Sequence, residues 1–212
     1  MRYGYYTRLG LKNMKLDFDV LQAIFWSATY VLIFIYNIRY RAVGIPPIAI
    51  ASNFAWETTA FLQDIVVYHN NSMIHIAWLF LDALIIITYL ALCRPAYRIR
   101  REKLFFCIYY LAAVFVFIIA FKHKGMLLSS FVIDLTMAIE YCIYSFNKNF
   151  AANVISLFIC LTKLIGDLCA WIYYKGFTVI VLVIGILVLG LNVVCLYNIL
   201  FRTFSKSAAQ KE

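Results

Sequence analysis

The sequence predicts an all-α protein: an integral membrane bundle of seven transmembrane helices that forms a single domain over residues 1–212. One observation is composition, because 65% of the residues are hydrophobic, against roughly 45–50% in a soluble domain. The mean hydropathy is +0.86 and only 14% of the residues are charged. The other observation is that apolar runs long enough to cross the hydrocarbon core, about 20 residues, recur along the chain.

Seven such runs are predicted, at about residues 17–38, 45–67, 73–93, 104–121, 127–147, 151–173 and 177–201. The first is too long for a signal-peptide core and no small-residue cleavage site follows it, so we expect it in the mature protein. The second opens with Pro46 and Pro47, which a helix start tolerates. The other five are predicted from their apolar length. The connections are short and leave no room for a soluble domain, and the sequence shows no convincing internal repeat.

The formal net charge of +9 does not indicate nucleic acid as a partner. The Lys and Arg residues flank the spans, where anionic lipid headgroups attract them. The membrane side that carries the C-terminus has eleven of them and the opposite side has seven. Because basic residues concentrate in cytoplasmic loops, the C-terminus is predicted in the cytoplasm.

The cysteines and histidines do not suggest a cofactor. The six Cys residues form no CxxC pair and are interpreted as small core residues. His69, His75 and His123 lie in or near loops and share no helix face with a second ligand. We therefore predict neither a metal nor another cofactor, and we expect His75 at the membrane interface.

Seven ionisable side chains fall within the predicted spans, although each costs about 2.5–3.5 kcal/mol at the centre of a membrane. They are Glu57, Asp64, Asp82, Asp134, Glu140, Lys163 and Asp167. A cost of this size predicts that these side chains face the interior of the bundle.

Helical geometry predicts that several of these groups converge. Glu57 and Asp64 are two turns apart and share a face with Asn53 and Phe61. Three more carboxyl groups belong to spans that start or end at the membrane surface near Asp64, and are predicted in the same half of the bilayer: Asp82, Asp134 and Asp167. The pattern predicts an acidic cavity, with Glu57 near mid-depth.

Structural interpretations of these groups are open as well. Lys163 and Asp167 are spaced i, i+4, so they form either an intrahelical ion pair or a site in which Asp167 is catalytic. Asp64 and Glu140 could extend to the interface or hydrogen-bond to a neighbouring helix. Glu57, which lies beside Asn53 and Trp56, could also have a purely structural role.

Aromatic side chains make up 18% of the chain. Several lie within spans and close in sequence to the acids: Trp56, Phe61, Trp78, Phe80, Tyr141 and Trp171. A lone aromatic residue usually indicates packing, but the face of an aromatic ring also stabilises a cation. Aromatic rings beside acids that can carry a proton indicate carbocation chemistry.

The stretch "VGIPPIAIASNFAWE" resembles the small seven-helix membrane-bound terpene cyclases of fungal meroterpenoid and bacterial drimane-type pathways. Asn53, Trp56 and Glu57 match the Asn-x-x-Trp-Glu core of that family. "IAWLFLDALII" is similar to its segment with Trp and Asp. "LTKLIGDL" is similar to the family's segment with Lys, Leu, Gly and Thr, and Asp167 stands at the position of that Thr.

The resemblance implies an isomerase or lyase of terpenoid biosynthesis that cyclises a prenyl chain, or its terminal epoxide, by protonation. The substrate would be a lipophilic prenylated molecule, and no metal would be needed. The catalytic candidates are Glu57, the essential acid of the motif, with Asp82, Asp134 and Asp167. The substrate-binding candidates are Asn53, Trp56, Phe61, Asp64, Trp78, Trp171 and Asn192.

The last helix departs from the family pattern, because Asn192 stands where an Asp is expected. Asn cannot protonate an olefin. Either Asp82, Asp134 or Asp167 takes that role, or the protein does not cyclise.

Two other functions fit the sequence. Seven helices with short loops suit a small three-plus-one-plus-three transporter, whose buried acids would bind substrate or protons. However, the two halves show no matching pair of spans broken by Gly or Pro. In a non-enzymatic membrane partner or sensor, the acids would contact another protein's helices.

Overall fold

The structure, a computed structural model, describes residues 11–66, 73–94, 101–122, 126–147, 150, 153–174 and 178–209. This part of the chain forms seven helices: α1 (Leu11–Tyr40), α2 (Pro47–Val66), α3 (Met73–Leu92), α4 (Glu102–Lys122), α5 (Met126–Tyr144), α6 (Val154–Tyr174) and α7 (Val179–Ala209). The predicted all-helical bundle is confirmed, and each helix overlaps one predicted span.

Six of these helices are long and apolar enough to cross a membrane, and α2 is the exception among the described residues. Its 20 residues reach about 30 Å, which is sufficient length. Its composition differs because Asn53, Glu57, Gln63 and Asp64 interrupt the apolar sequence. The helix contacts α3, α4 and α5, so its polar groups can be covered by neighbouring helices.

The helices pack in two halves with the same order of neighbours. In the first half α3 contacts both α1 and α2, and in the second half α7 contacts both α5 and α6. The halves meet where α1 packs on α6 and where α2 packs on α5, while α4 packs mainly on α2. Three helices, a linking helix and three more helices therefore form a repeat that the sequence does not show.

The surface of the bundle carries large apolar side chains, as expected of a protein embedded in lipid. Leu111 and Phe115 on α4, Ile186 on α7 and Phe80 on α3 are each more than half exposed. Buried polar and charged side chains lie inside, the reverse of a soluble protein's polar surface. The structure therefore supports an integral membrane protein.

One end of the bundle, here called the closed end, contains the buried connection between α1 and α2, residues 43–46. The Gly44 amide donates to Asn37 Oδ1 at 2.8 Å. The hydroxyl groups of Tyr141 and Tyr144 donate to the carbonyl oxygens of Gly44 and Val43 at 3.3 and 3.0 Å. Side chains from α1 and α5 thus hold this connection across the interior.

Candidate functional site

A cavity of about 70 Å³ lies between the two halves of the bundle. It is lined by residues of α1, α2, α3, α5 and α6: Gln22, Trp26, Tyr30, Asn53, Trp56, Glu57, Trp78, Ser130, Phe131, Ile133, Asp134 and Ala170. Tyr30 and Gln22 precede Tyr40, at the closed end of α1, by ten and 18 residues. At 1.5 Å per residue the cavity therefore lies about 15–27 Å from the closed end.

Glu57 lies on the wall of this cavity and is almost fully buried. It is ten residues after Pro47, where α2 begins, and therefore about 15 Å along the helix axis, near mid-depth. Its Oε2 atom is 3.2 Å from Nδ1 of His75, in the first turn of α3. The predicted position of Glu57 in a buried acidic cavity agrees with the structure.

His75 is the residue that the sequence interpretation missed. It was expected near the membrane interface, and its place in the first turn of α3 with 17% of its side chain exposed is compatible with that position, but its contact with Glu57 was not predicted. The imidazole also lies near two indole rings, with centroid distances of 5.9 Å to Trp56 and 6.1 Å to Trp78. The spacing of His75 and Trp78, i and i+3, could have indicated that both face the same neighbour.

Asp82 is linked to the cavity through Asn53. The Asn53 amide donates to Asp82 Oδ2 at 2.7 Å and to the Tyr30 hydroxyl oxygen at 2.8 Å. The other carboxyl oxygen of Asp82, Oδ1, is buried and has no hydrogen-bond partner among the residues described. Asp82 is thus behind the cavity wall, while Asn53 lies on it.

Asp134 of α5 lies on the cavity wall contributed by the second half. It lies close enough to Glu57, Asp167 and Lys163 for electrostatic interaction with each of them. Carboxyl groups from both halves of the bundle therefore line one cavity, as the sequence predicts for Glu57 and Asp134.

Asp167 and Asn192 occupy a separate buried cluster with Lys163. The Lys163 ammonium group donates to Asp167 Oδ2 at 2.5 Å and to Asn192 Oδ1 at 3.2 Å. The Asn192 amide donates to the same Asp167 oxygen at 2.6 Å. Trp26 and Tyr141 place their rings 5.3 and 5.9 Å from the ammonium nitrogen. The structure thus shows the intrahelical ion pair.

Hydrogen bonds also hold the two indole rings beside His75. Trp56 Nε1 donates to Ser129 Oγ of α5 at 3.0 Å, and Trp78 Nε1 donates to Ser27 Oγ of α1 at 3.1 Å. Each bond joins neighbouring helices, so the aromatic wall has a defined geometry. Trp56 and Trp78 both line the cavity, and their role in substrate binding stays a prediction.

Besides Asn192, which belongs to the Lys163–Asp167 cluster, three predicted substrate-binding residues lie elsewhere or cannot be placed. Phe61 and Trp171 are half-buried and are not among the described residues that line the cavity. Trp171 instead packs against α7, where a Cβ atom on Gly185 would approach its ring to 1.9 Å. Asp64 belongs to α2, but its side chain lies outside the described part of the structure.

Comparison with protein-family models, curated proteins and solved structures finds no match to this chain. The terpene cyclase resemblance therefore depends on the quoted motifs alone. A proposal about function must therefore be based on the residues and distances in the cavity.

Proposed function

We propose that this protein is a membrane-embedded terpene cyclase that starts cyclisation of a prenyl chain, or of its terminal epoxide, by protonation. The proposal rests on the position of Glu57, which is a buried acid on the wall of an aromatic cavity inside a membrane bundle. A carboxyl group taken out of water favours its neutral form, which can donate a proton.

The cavity contains the groups that the remaining steps require. When the Glu57 proton bonds to one carbon of a terminal alkene, the π electrons form the new C–H bond and leave a carbocation. The faces of Trp26, Tyr30, Trp56, Trp78 and Phe131 would stabilise this cation and those that follow ring closure. Asp134, if ionised, would accept the proton that the last cation loses. The product is then an isomer of the substrate.

The roles of the other two acids differ in this proposal. Asp82 holds Asn53, which lies on the cavity wall. Asp167 is bound to Lys163 and Asn192, so we assign it to the stability of the bundle. Asp134 is then the preferred second catalytic acid, because it faces the same cavity as Glu57.

The size of the cavity limits how a substrate can bind. A cavity of about 70 Å³ is about half the size of an engineered 150 Å³ cavity that holds benzene. The reactive end of a prenyl chain therefore enters only if side chains on the wall move. The rest of the chain would extend between the helices toward the lipid.

Product analysis tests this proposal. Membranes containing the protein are incubated with aromatic substrates bearing farnesyl or geranylgeranyl chains, with and without a terminal epoxide. The products are separated by chromatography and identified by mass spectrometry. We expect a new isomer of unchanged mass that Glu57→Gln abolishes. The matched control is Glu140→Gln, the same change at a half-buried acid of α5 outside the cavity wall. An active Glu57→Gln variant would overturn the proposal.

A second candidate is a small transporter, and the order of the helices favours it. Parallel repeats with substrate sites near mid-membrane, at the interface of the repeats, are a known transporter design. Here the two halves share one order of neighbours and enclose the cavity between them. Uptake of small polar solutes or protons into proteoliposomes, with no isomer formed from any prenyl substrate, would favour this function.

We also propose that the closed end faces the cytoplasm. Arg39, Arg41 and Arg94 are exposed near this end, in agreement with the bias of basic residues toward cytoplasmic loops. Protease protection of a C-terminal tag in sealed right-side-out vesicles would test this orientation, since a cytoplasmic tag is cleaved only after permeabilisation.

A further inference from the structure

We propose that His75 is a positioning and proton-relay residue that reloads Glu57 with a proton from the aqueous phase after each reaction cycle. This inference rests on the proposed cyclase function. It adds a route for the proton that the buried acid loses in each cycle.

The geometry that points to this role is a contact between a buried and a partly exposed group. The Glu57 side chain is 3% exposed and that of His75 is 17% exposed, and Oε2 and Nδ1 are 3.2 Å apart. His75 is the third residue of α3, so it lies near the end of the bundle opposite the closed end. A proton can therefore pass from outside to the imidazole, and from the imidazole to Glu57, in short steps.

The surroundings of His75 suit a group that carries positive charge for part of the time. Trp56 and Trp78 place their rings about 6 Å from the imidazole, and tryptophan is the aromatic residue that best stabilises a cation. Both rings are held by hydrogen bonds from their Nε1 atoms. The site can therefore accept a charged imidazole without a large rearrangement.

Titratable groups of the helices packed around His75 also contribute to its environment. Glu57 of α2 is in contact with it, and Tyr30 of α1, Asp82 of α3 and Asp134 of α5 interact electrostatically with Glu57. Asp17 and Asp19 of α1 lie toward the same end, but their side chains are outside the described part of the structure. Lys163 of α6 interacts with Asp134 in turn, so acidic and basic groups both contribute to the environment of the His75–Glu57 pair.

The relay conserves protons. Glu57 gives one proton to the substrate and becomes a carboxylate. The protonated imidazole of His75 then transfers a proton to the Glu57 carboxylate and becomes neutral, after which it takes a proton from water at the surface. The proton that the final carbocation loses leaves through the acceptor carboxylate, so each cycle has no net proton change.

Infrared spectroscopy without substrate tests the relay independently of any catalytic activity. The carboxyl band that Glu57→Gln removes is identified first, and its shift is then followed after transfer of the protein into D₂O. In the wild-type protein we expect fast exchange. In His75→Gln we expect exchange to slow at least about tenfold, since a lost acid–base group typically costs about 100-fold or more. Equal exchange rates in both proteins, or the absence of a Glu57 carboxyl band, would overturn the relay.

A rescue experiment separates proton transfer from a structural role. In His75→Ala, imidazole added to the medium should restore fast exchange of the Glu57 proton, whereas a nonbasic ring of the same size, such as cyclopentane, should not. Failure of imidazole to restore exchange in a folded His75→Ala protein would contradict the relay.

Enzyme kinetics then connect the relay to the proposed function. With an active substrate, His75→Gln should lower kcat by at least about tenfold and leave KM nearly unchanged. If the wild-type protein forms no isomer but the infrared result holds, the cyclase proposal fails and the proton route survives. If isomer forms and exchange is unaffected by His75→Gln, the relay alone fails.

Discussion

Each half of the bundle buries a carboxyl group against a side-chain amide, but among the described residues a lysine neutralises only one of the two pairs. The first pair is Asn53–Asp82, between α2 and α3, and the second pair is Asp167–Asn192, between α6 and α7. The halves correspond in helix order, but the amide lies on the second helix of the first half and on the third helix of the second half.

The difference between the pairs lies in charge. In the second pair Asp167 is bound by Lys163, so a positive and a negative charge balance within the membrane. In the first pair, no ammonium or guanidinium group among the described residues contacts Asp82, and Asn53 leads directly to the cavity. A balanced pair suits a fixed anchor, while an acid without a cation suits a site in which protons move.

The strongest test of this comparison removes the lysine. Lys163→Met should lower the free energy of unfolding by about 3–5 kcal/mol, because it leaves Asp167 without its buried counter-charge. Unfolding in mild detergent would measure the loss. The double variant Lys163→Met with Asp167→Leu should recover most of it, and a single variant as stable as the wild-type protein would show that the pair is not an anchor.

The two aspartates should differ when each is changed to asparagine. Asp167→Asn leaves Lys163 buried without a negative partner and should cost about 3 kcal/mol. Asp82→Asn should cost less, about 1.5 kcal/mol, since the new amide oxygen can still accept from Asn53. Parallel unfolding measurements on the two variants compare the halves directly, and equal losses would remove the distinction.

A carboxyl group at the position of Asn192 restores the residue that the terpene cyclase pattern favours there. Asn192→Asp places a second acid beside Lys163 and Asp167 and should cost about 1 kcal/mol of stability. It should give no increase in isomer formation, because Asn192 is not among the described residues of the cavity wall. A faster reaction in product assays would indicate that α7 reaches the substrate.

The smallest expected effect concerns the aromatic wall of the first half. Trp56→Phe keeps an aromatic ring but loses the hydrogen bond to Ser129, at a cost of about 1 kcal/mol in stability. Cyclisation should slow without stopping, since the face of a ring remains beside Glu57. Complete loss of product in a stable Trp56→Phe protein would show that the indole has a direct chemical role.

The helices could be predicted from sequence because apolar length in a membrane protein is a strong local signal. The buried position of Glu57 was predicted for a related reason, since a charge in a long apolar run must avoid lipid. Asp134 and Glu57 reach one cavity because they lie at compatible depths on helices that pack together. The depth of a residue in the membrane and the free-energy cost of exposing its charge to lipid can both be read from the sequence of a single span.

The rotation of each helix about its axis and the identity of its neighbouring helices depend on the whole bundle and not on one span. The residues that were placed wrongly, or whose contacts were missed, depend on these two properties. Phe61 and Trp171 have suitable depth and chemistry but do not reach the described cavity wall. His75 was placed near the interface from its depth, but its contact with Glu57 of the neighbouring helix was not predicted. The repeat of helix order has no counterpart in residue identity, because packing of small and apolar side chains can preserve it with different sequences.

The most direct test of the central claim, that Glu57 supplies the proton that starts cyclisation, is the reaction of an alkene-terminated prenyl substrate in D₂O. The account predicts that each molecule of isomer formed by the wild-type protein and by Glu140→Gln carries one deuterium on carbon, and that Glu57→Gln forms no product. Isomer without deuterium, or labelled isomer from Glu57→Gln, would contradict it.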